Sequence, residues 1–167
     1  MSLQKHIDAL SKRAQFKLAI RLARIAMPIW ENYTEKNRLF YIDSVVGLTH
    51  SIDKRLLQNT ISAIEIYLYQ NGFMRFISGK SDLIKLRREF DEPVSALQDM
   101  DWELPDLVAK TFYGIYNMID SLIGKERTVF NEPTIYVAVN QLADALESSK
   151  LLTFDELNQI LKEIKGN

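Results

Sequence analysis

The sequence contains no cysteine, two histidines, six glycines and four prolines. Without cysteine there is no disulfide, no thiolate nucleophile and no sulfur ligand for a metal. That composition fits a reducing compartment, and a cytoplasmic location is expected. With only His6 and His50, a zinc site would need carboxylates in place of most of its usual ligands. Neither histidine has a glutamate three residues before it, the spacing that di-iron bundles use. Asp99, Asp101 and Glu103 alternate as in a calcium loop, but the required glycine is missing and Pro105 intrudes. No metal and no cofactor are therefore expected. G-x-S-x-G, H-E-x-x-H and a phosphate loop ending in Gly-Lys-Ser/Thr are all absent. No stretch approaches ~18 uncharged apolar residues, so no membrane span is expected. Residues 1–26 are interrupted by eight ionisable side chains, from Lys5 to Arg24, which leaves no apolar core for a signal peptide. A net charge of −1 and a pI near 6.1 argue against a general nucleic-acid binder, which carries a basic excess.

What is present is an ordinary globular composition, 47% apolar and 26% charged over 167 residues. It fits one domain over residues 1–167 with its own core. Apolar residues recur at three- and four-residue steps almost throughout, which predicts an all-α bundle of about six to eight helices. A short helix over 4–10 precedes one capped by Ser11 and running to about Tyr33. Its core stripe is Phe16, Ala19, Ile20, Ala23, Met27 and Trp30. Pro28 falls inside that pattern and predicts a kink or break near Ala26. A helix is expected over about 35–49, with His50 near its C-terminal end. The next starts near Ser51 or Asp53, ends at Asn71-Gly72, and is the most apolar of all, with Ile61 and Ile64 fully buried. A short helix introduced by Gly79 and Ser81 leads to a turn or two after Pro93. Long helices follow over about 104–124 and 133–149, the latter absorbing the strand-like run Ile135-Tyr136-Val137-Ala138-Val139. Thr153 and Glu156 have the spacing of a capping box for the last helix.

Three constellations could carry function. Arg13, Lys17, Arg21 and Arg24 are spaced four, four and three residues apart and form one basic strip, either a solvated face or a surface for phosphate or an acidic partner. Asp43, Glu65 and Asp120 lie in apolar surroundings where burial could create a general acid, and Tyr113, Tyr116, Asn117 and Asp120 have helical spacing that could line a polar pocket. Between residues 89 and 109 stand Glu89, Asp91, Glu92, Asp99, Asp101, Glu103 and Asp106 with no Lys or Arg, a local charge of −7. Acid around an aromatic resembles a protein-docking patch, in which the ring anchors and the charge steers. On that reading Asp91, Glu92, Asp99, Asp101, Trp102 and Glu103 contact a basic protein. On the plainer one, acids solvate a loop or suit a helix start, and Trp102 packs inward.

The pattern Ile7, Leu10, Phe16, Arg24, Met27-Pro28 and Asn32-Tyr33 resembles the opening of the YjaG-like family of uncharacterised bacterial helical proteins. Leu18-Ala19, Ala23-Arg24 and Met27-Pro28-Ile29-Trp30-Glu31 are similar to the start of helical immunity proteins from bacterial toxin systems. Both resemblances cover about a sixth of the chain. They imply an all-helical fold and, for the immunity group, a protein that binds a toxin; neither carries a catalytic motif. The expectation is a non-enzymatic interaction module. A carboxylate or tyrosine enzyme, or nucleic-acid binding by the basic strip, are the alternatives.

Overall fold

A computed structural model describes residues 3–69 and 80–166. Its central element is α2 (Lys12–Lys36), which follows the short α1 (Leu3–Asp8). Ser11 starts α2 by accepting the Ala14 N–H on its hydroxyl at 3.2 Å, which satisfies one of the free donors of the first turn. The expected stripe is buried along its whole length, from Phe16 to Trp30. Pro28 does not end this helix. It lies on the exposed side, where the carbonyl it frees can meet water, while Met27 and Trp30 tie both flanks to the core.

The expected helix over 35–49 is instead an antiparallel hairpin, β1 (Phe40–Ile42) with β2 (Thr49–Ser51). Three features account for the difference. Phe40-Tyr41-Ile42 has aromatic and β-branched residues that suit a strand. Asp43 turns the chain by accepting the Val45 and Val46 N–H groups on Oδ1 at 2.7 and 3.3 Å, a local bond that competes with helix. Gly47 sits at φ +72°, a left-handed position that a helix would not contain. His50 is therefore a strand residue paired with Tyr41, and not the end of a helix.

α3 (Leu56–Tyr69) follows, with Asp53 accepting the Arg55 N–H ahead of it. Ile61 and Ile64 are fully buried, as expected, but Ile66 and Tyr69 are exposed, and α6 and α7 bury a larger share of their residues than α3 does. The expected stop at Asn71-Gly72 and the start at Gly79 lie outside the described residues. α4 (Lys80–Glu89), α5 (Asp91–Gln98), α6 (Asp106–Ile123), α7 (Thr134–Ser148) and α8 (Phe154–Gly166) complete the chain. The fold is thus mostly helical, with eight helices and one two-stranded sheet among the described residues. Residues 135–139 are helical, as expected. Thr153 and Glu156 form the capping box reciprocally, at 2.7 and 3.2 Å.

α6 and α7 make the most extensive pairing, and α2 packs across both. Gly114 permits the first contact, because a Cβ there would lie 2.6 Å from Leu142 Cγ. One hydrophobic cluster runs from Ile7 to Leu161 through Trp30, Phe90 and Phe112. No described helix is long and apolar enough to cross a membrane.

Candidate functional site

The hairpin packs its inner face against the α5 region. Strand alternation sends Tyr41 and His50 inward and leaves Phe40, Ile42, Thr49 and Ser51 outward. His50 stacks on Tyr41 with ring centres 5.0 Å apart, and Tyr41 reaches Trp102 at 6.3 Å. Trp102 is only 6% exposed. The chain after α5 folds back so that the Asp101 and Trp102 N–H groups both donate to the Ala96 carbonyl, at 2.9 and 3.1 Å. The indole then meets Phe112 edge-on at 5.5 Å. The plainer reading of Trp102 is therefore the right one: it closes the loop onto the core and is not a surface anchor. Neighbouring Met100 is instead the large apolar side chain that this loop exposes, at φ 63°.

The acids around it divide by role. Asp101 Oδ2 accepts from the Ser44 hydroxyl at 3.1 Å and from its N–H at 3.3 Å, which ties the hairpin turn to the loop. Asp106 pairs with Lys110 at 3.2 Å within α6. Glu92 lies 3.7 Å from His50 Nδ1, and Asp43 lies 3.9 Å from Nε2 on the other side. Two clefts flank this arrangement. One, of 490 Å³, includes Asp43, Asp91, Glu92, Asp99 and Asp101 in its walls. The other, of 500 Å³, includes Asp53, Glu89 and Glu92. Neither has a Lys or Arg in its lining. Burial pushes the Tyr41 phenol above its usual range, and the charges of Glu92, Asp43 and Asp101 act in the same direction. Glu103 is exposed and lines neither cleft.

The cleft acids of α5 were visible in the sequence. That Asp43, His50 and Asp53 meet them was not, because a helix over 35–49 gives no reason for that approach. Beside the clefts the hairpin exposes Ile42, Val45, Val46 and Leu48, with Val45 at 88%. No group of three or more His, Asp or Glu among the described residues has the geometry to hold a metal ion.

The other candidates are spread apart. Arg24 donates through Nε and Nη2 to Glu65 at 3.0 and 2.9 Å, Arg21 pairs with Glu163, and the Lys17 ammonium lies 5.8 Å from the Tyr69 ring centre. The basic strip, Arg13 included, is thus engaged within the chain. Asp120, 7% exposed, accepts from Arg87 Nε and Nη2 at 2.8 Å across α4 and α6. Burial alone would lower the Arg87 pKa, but the hydrogen bond and charge of Asp120 outweigh it and the net change is upward. Asn117 instead donates to Gln141 of α7 at 2.7 Å. Asp120 and Asn117 therefore serve different neighbours rather than one polar pocket.

The class this defines is a mostly helical protein with an acidic, hairpin-edged surface. Compared with known proteins, the chain matches no family model, no curated protein and no solved structure. The resemblances noted over residues 7–33 rest on those residues alone.

Proposed function

We propose that the protein is a non-enzymatic interaction module that docks a basic protein partner, in the manner of an immunity-type protein. The observation that carries this reading is the pair of acidic clefts astride His50, without Lys or Arg in their walls, beside an exposed apolar hairpin turn. Acid steers a cationic partner and raises the encounter rate, while apolar side chains supply contact energy once water is displaced. Trp102 supports the surface from behind. The cysteine-free composition accords with a cytoplasmic setting, which forms part of this reading.

A photo-crosslinker at Val45 should capture a basic protein that the same group at Lys162 does not. With the captured protein purified, replacing Asp91, Glu92 and Asp99 by their amides should slow association about tenfold or more at low ionic strength, with a smaller effect at high salt. Melting should be nearly unchanged, because none of the three is buried. Equal capture from both positions, or an association rate indifferent to the amides and to salt, would overturn the proposal.

A further inference from the structure

We propose that the groove between the end of α2 and the outer face of the hairpin binds a nucleotide, its phosphates on Lys36, Arg38 and Lys54 and its base against Phe40. The groove shares Thr49, Ser51 and Ile52 with one acidic cleft, but Lys36, Arg38, Phe40 and Lys54 line neither cleft, so variants at these four test it apart from the first reading. The groove holds 570 Å³, within the range of pockets that enclose small ligands.

Three cations stand together in its lining. Arg21 and Arg24 on the same α2 are paired with carboxylates, whereas Lys36, Arg38 and Lys54 make no ion pair among the described residues. Lys36 has a local reason to be where it is, since a cation suits the negative end of a helix. That reason does not extend to the other two. Arg38 stands beyond the helix end, and Lys54 stands just before α3, where the helix dipole disfavours a positive charge. One acid, Glu35, shares the wall with these three cations.

The groove also has the apolar and neutral parts that a nucleotide needs. Phe40 is 43% exposed, and the Arg38 guanidinium lies 5.8 Å from its ring centre, so an aromatic face and a planar cation stand together. Bases stack on both. The Thr49 and Ser51 hydroxyls leave the same outer face of β2 and have no hydrogen-bond partner among the described residues. The base of the groove is held in place, because the fully buried Trp30 donates its indole N–H to the Lys54 carbonyl at 2.9 Å. The hairpin thus borders a groove that holds three cations and clefts that are lined by acids.

Free nucleotides and single-stranded nucleic acid present the same chemistry, and three probes distinguish them: ATP, inorganic triphosphate, and a short labelled single-stranded oligonucleotide, each titrated at ~50 mM salt. Either ATP or the strand should bind. Arg38→Glu/Lys54→Glu should weaken that binding about tenfold or more, and Arg38→Gln/Lys54→Gln should weaken it less. Phe40→Ala should weaken ATP or strand binding and leave inorganic triphosphate unaffected. Circular dichroism melts confirm that each variant is folded. A strand that binds far more tightly than ATP, with a steep salt dependence, identifies nucleic acid as the source; comparable affinities identify the free nucleotide. Absence of binding by both, undiminished binding by the folded charge variants, or inorganic triphosphate binding as tightly as ATP would each overturn the proposal.

Discussion

Trp102 closes the turn between α5 and α6 by filling a space bounded by Phe112 and Tyr41. Trp102→Ala should therefore cost roughly 3–5 kcal/mol, as deletion of a buried aromatic does, and denaturant unfolding measures it. Both tryptophans are buried, so an aqueous quencher such as iodide should reduce the native fluorescence little and the unfolded fluorescence strongly. A second residue-scale dependence is the Arg87–Asp120 pair. Arg87→Met leaves a carboxylate in a nearly closed site without its cation and should cost about 3 kcal/mol. Adding Asp120→Asn removes the stranded charge, so the double variant should be more stable than Arg87→Met alone. Comparing the two unfolding midpoints decides this.

Among the elements, the helices with strong apolar periodicity were legible from residue spacing. α2, α6, α7 and α8 each present an apolar face whose central residues are buried. The capping box of Thr153 and Glu156 was legible because it is wholly local. The hairpin was not. Ile42, Val45 and Val46 fit a helical stripe by spacing, yet they are exposed, and Asp43 and Gly47 decide the backbone. Apolar spacing reports a helix only where those residues are buried, and burial is not written in the residues themselves. Gly114 likewise gives no signal in sequence, although it sets the α6–α7 distance. Gly114→Ala should destabilise by about 1–3 kcal/mol through overpacking. Pairing it with Leu142→Ala should give a loss smaller than the sum of the two single losses, which a double-mutant cycle reads directly.

For the molecule as a whole, the candidate site was half legible. The acids of α5 could be counted, but what faces them depends on bringing residues 40–51 against 89–101, a tertiary event. The surface balance of the whole fold also sets its response to alkali. Burial pushes the phenols of Tyr41, Tyr113 and Tyr116 above their usual range. In the unfolded chain they ionise near pH ~10, whereas in the folded one they hold their protons to higher pH. The unfolded state therefore loses protons first. The stability tied to these groups is fully present below that pH and is lost as pH rises through the folded values. Urea midpoints measured from about pH 8 to 11 should fall at the alkaline end, and Tyr116→Phe should flatten the fall.

The close pairing of α6 and α7 also bears on how the chain finds its fold. The two helices are joined by residues 124–133 alone, so they dock after closing a short loop. α2 reaches them only across most of the chain. Loop-closure entropy thus predicts an order of events, with the α6–α7 hairpin formed in the folding transition state and α2 condensing onto it afterwards. The damage done by Gly114→Ala should accordingly appear mainly as slower refolding, with the unfolding rate little altered.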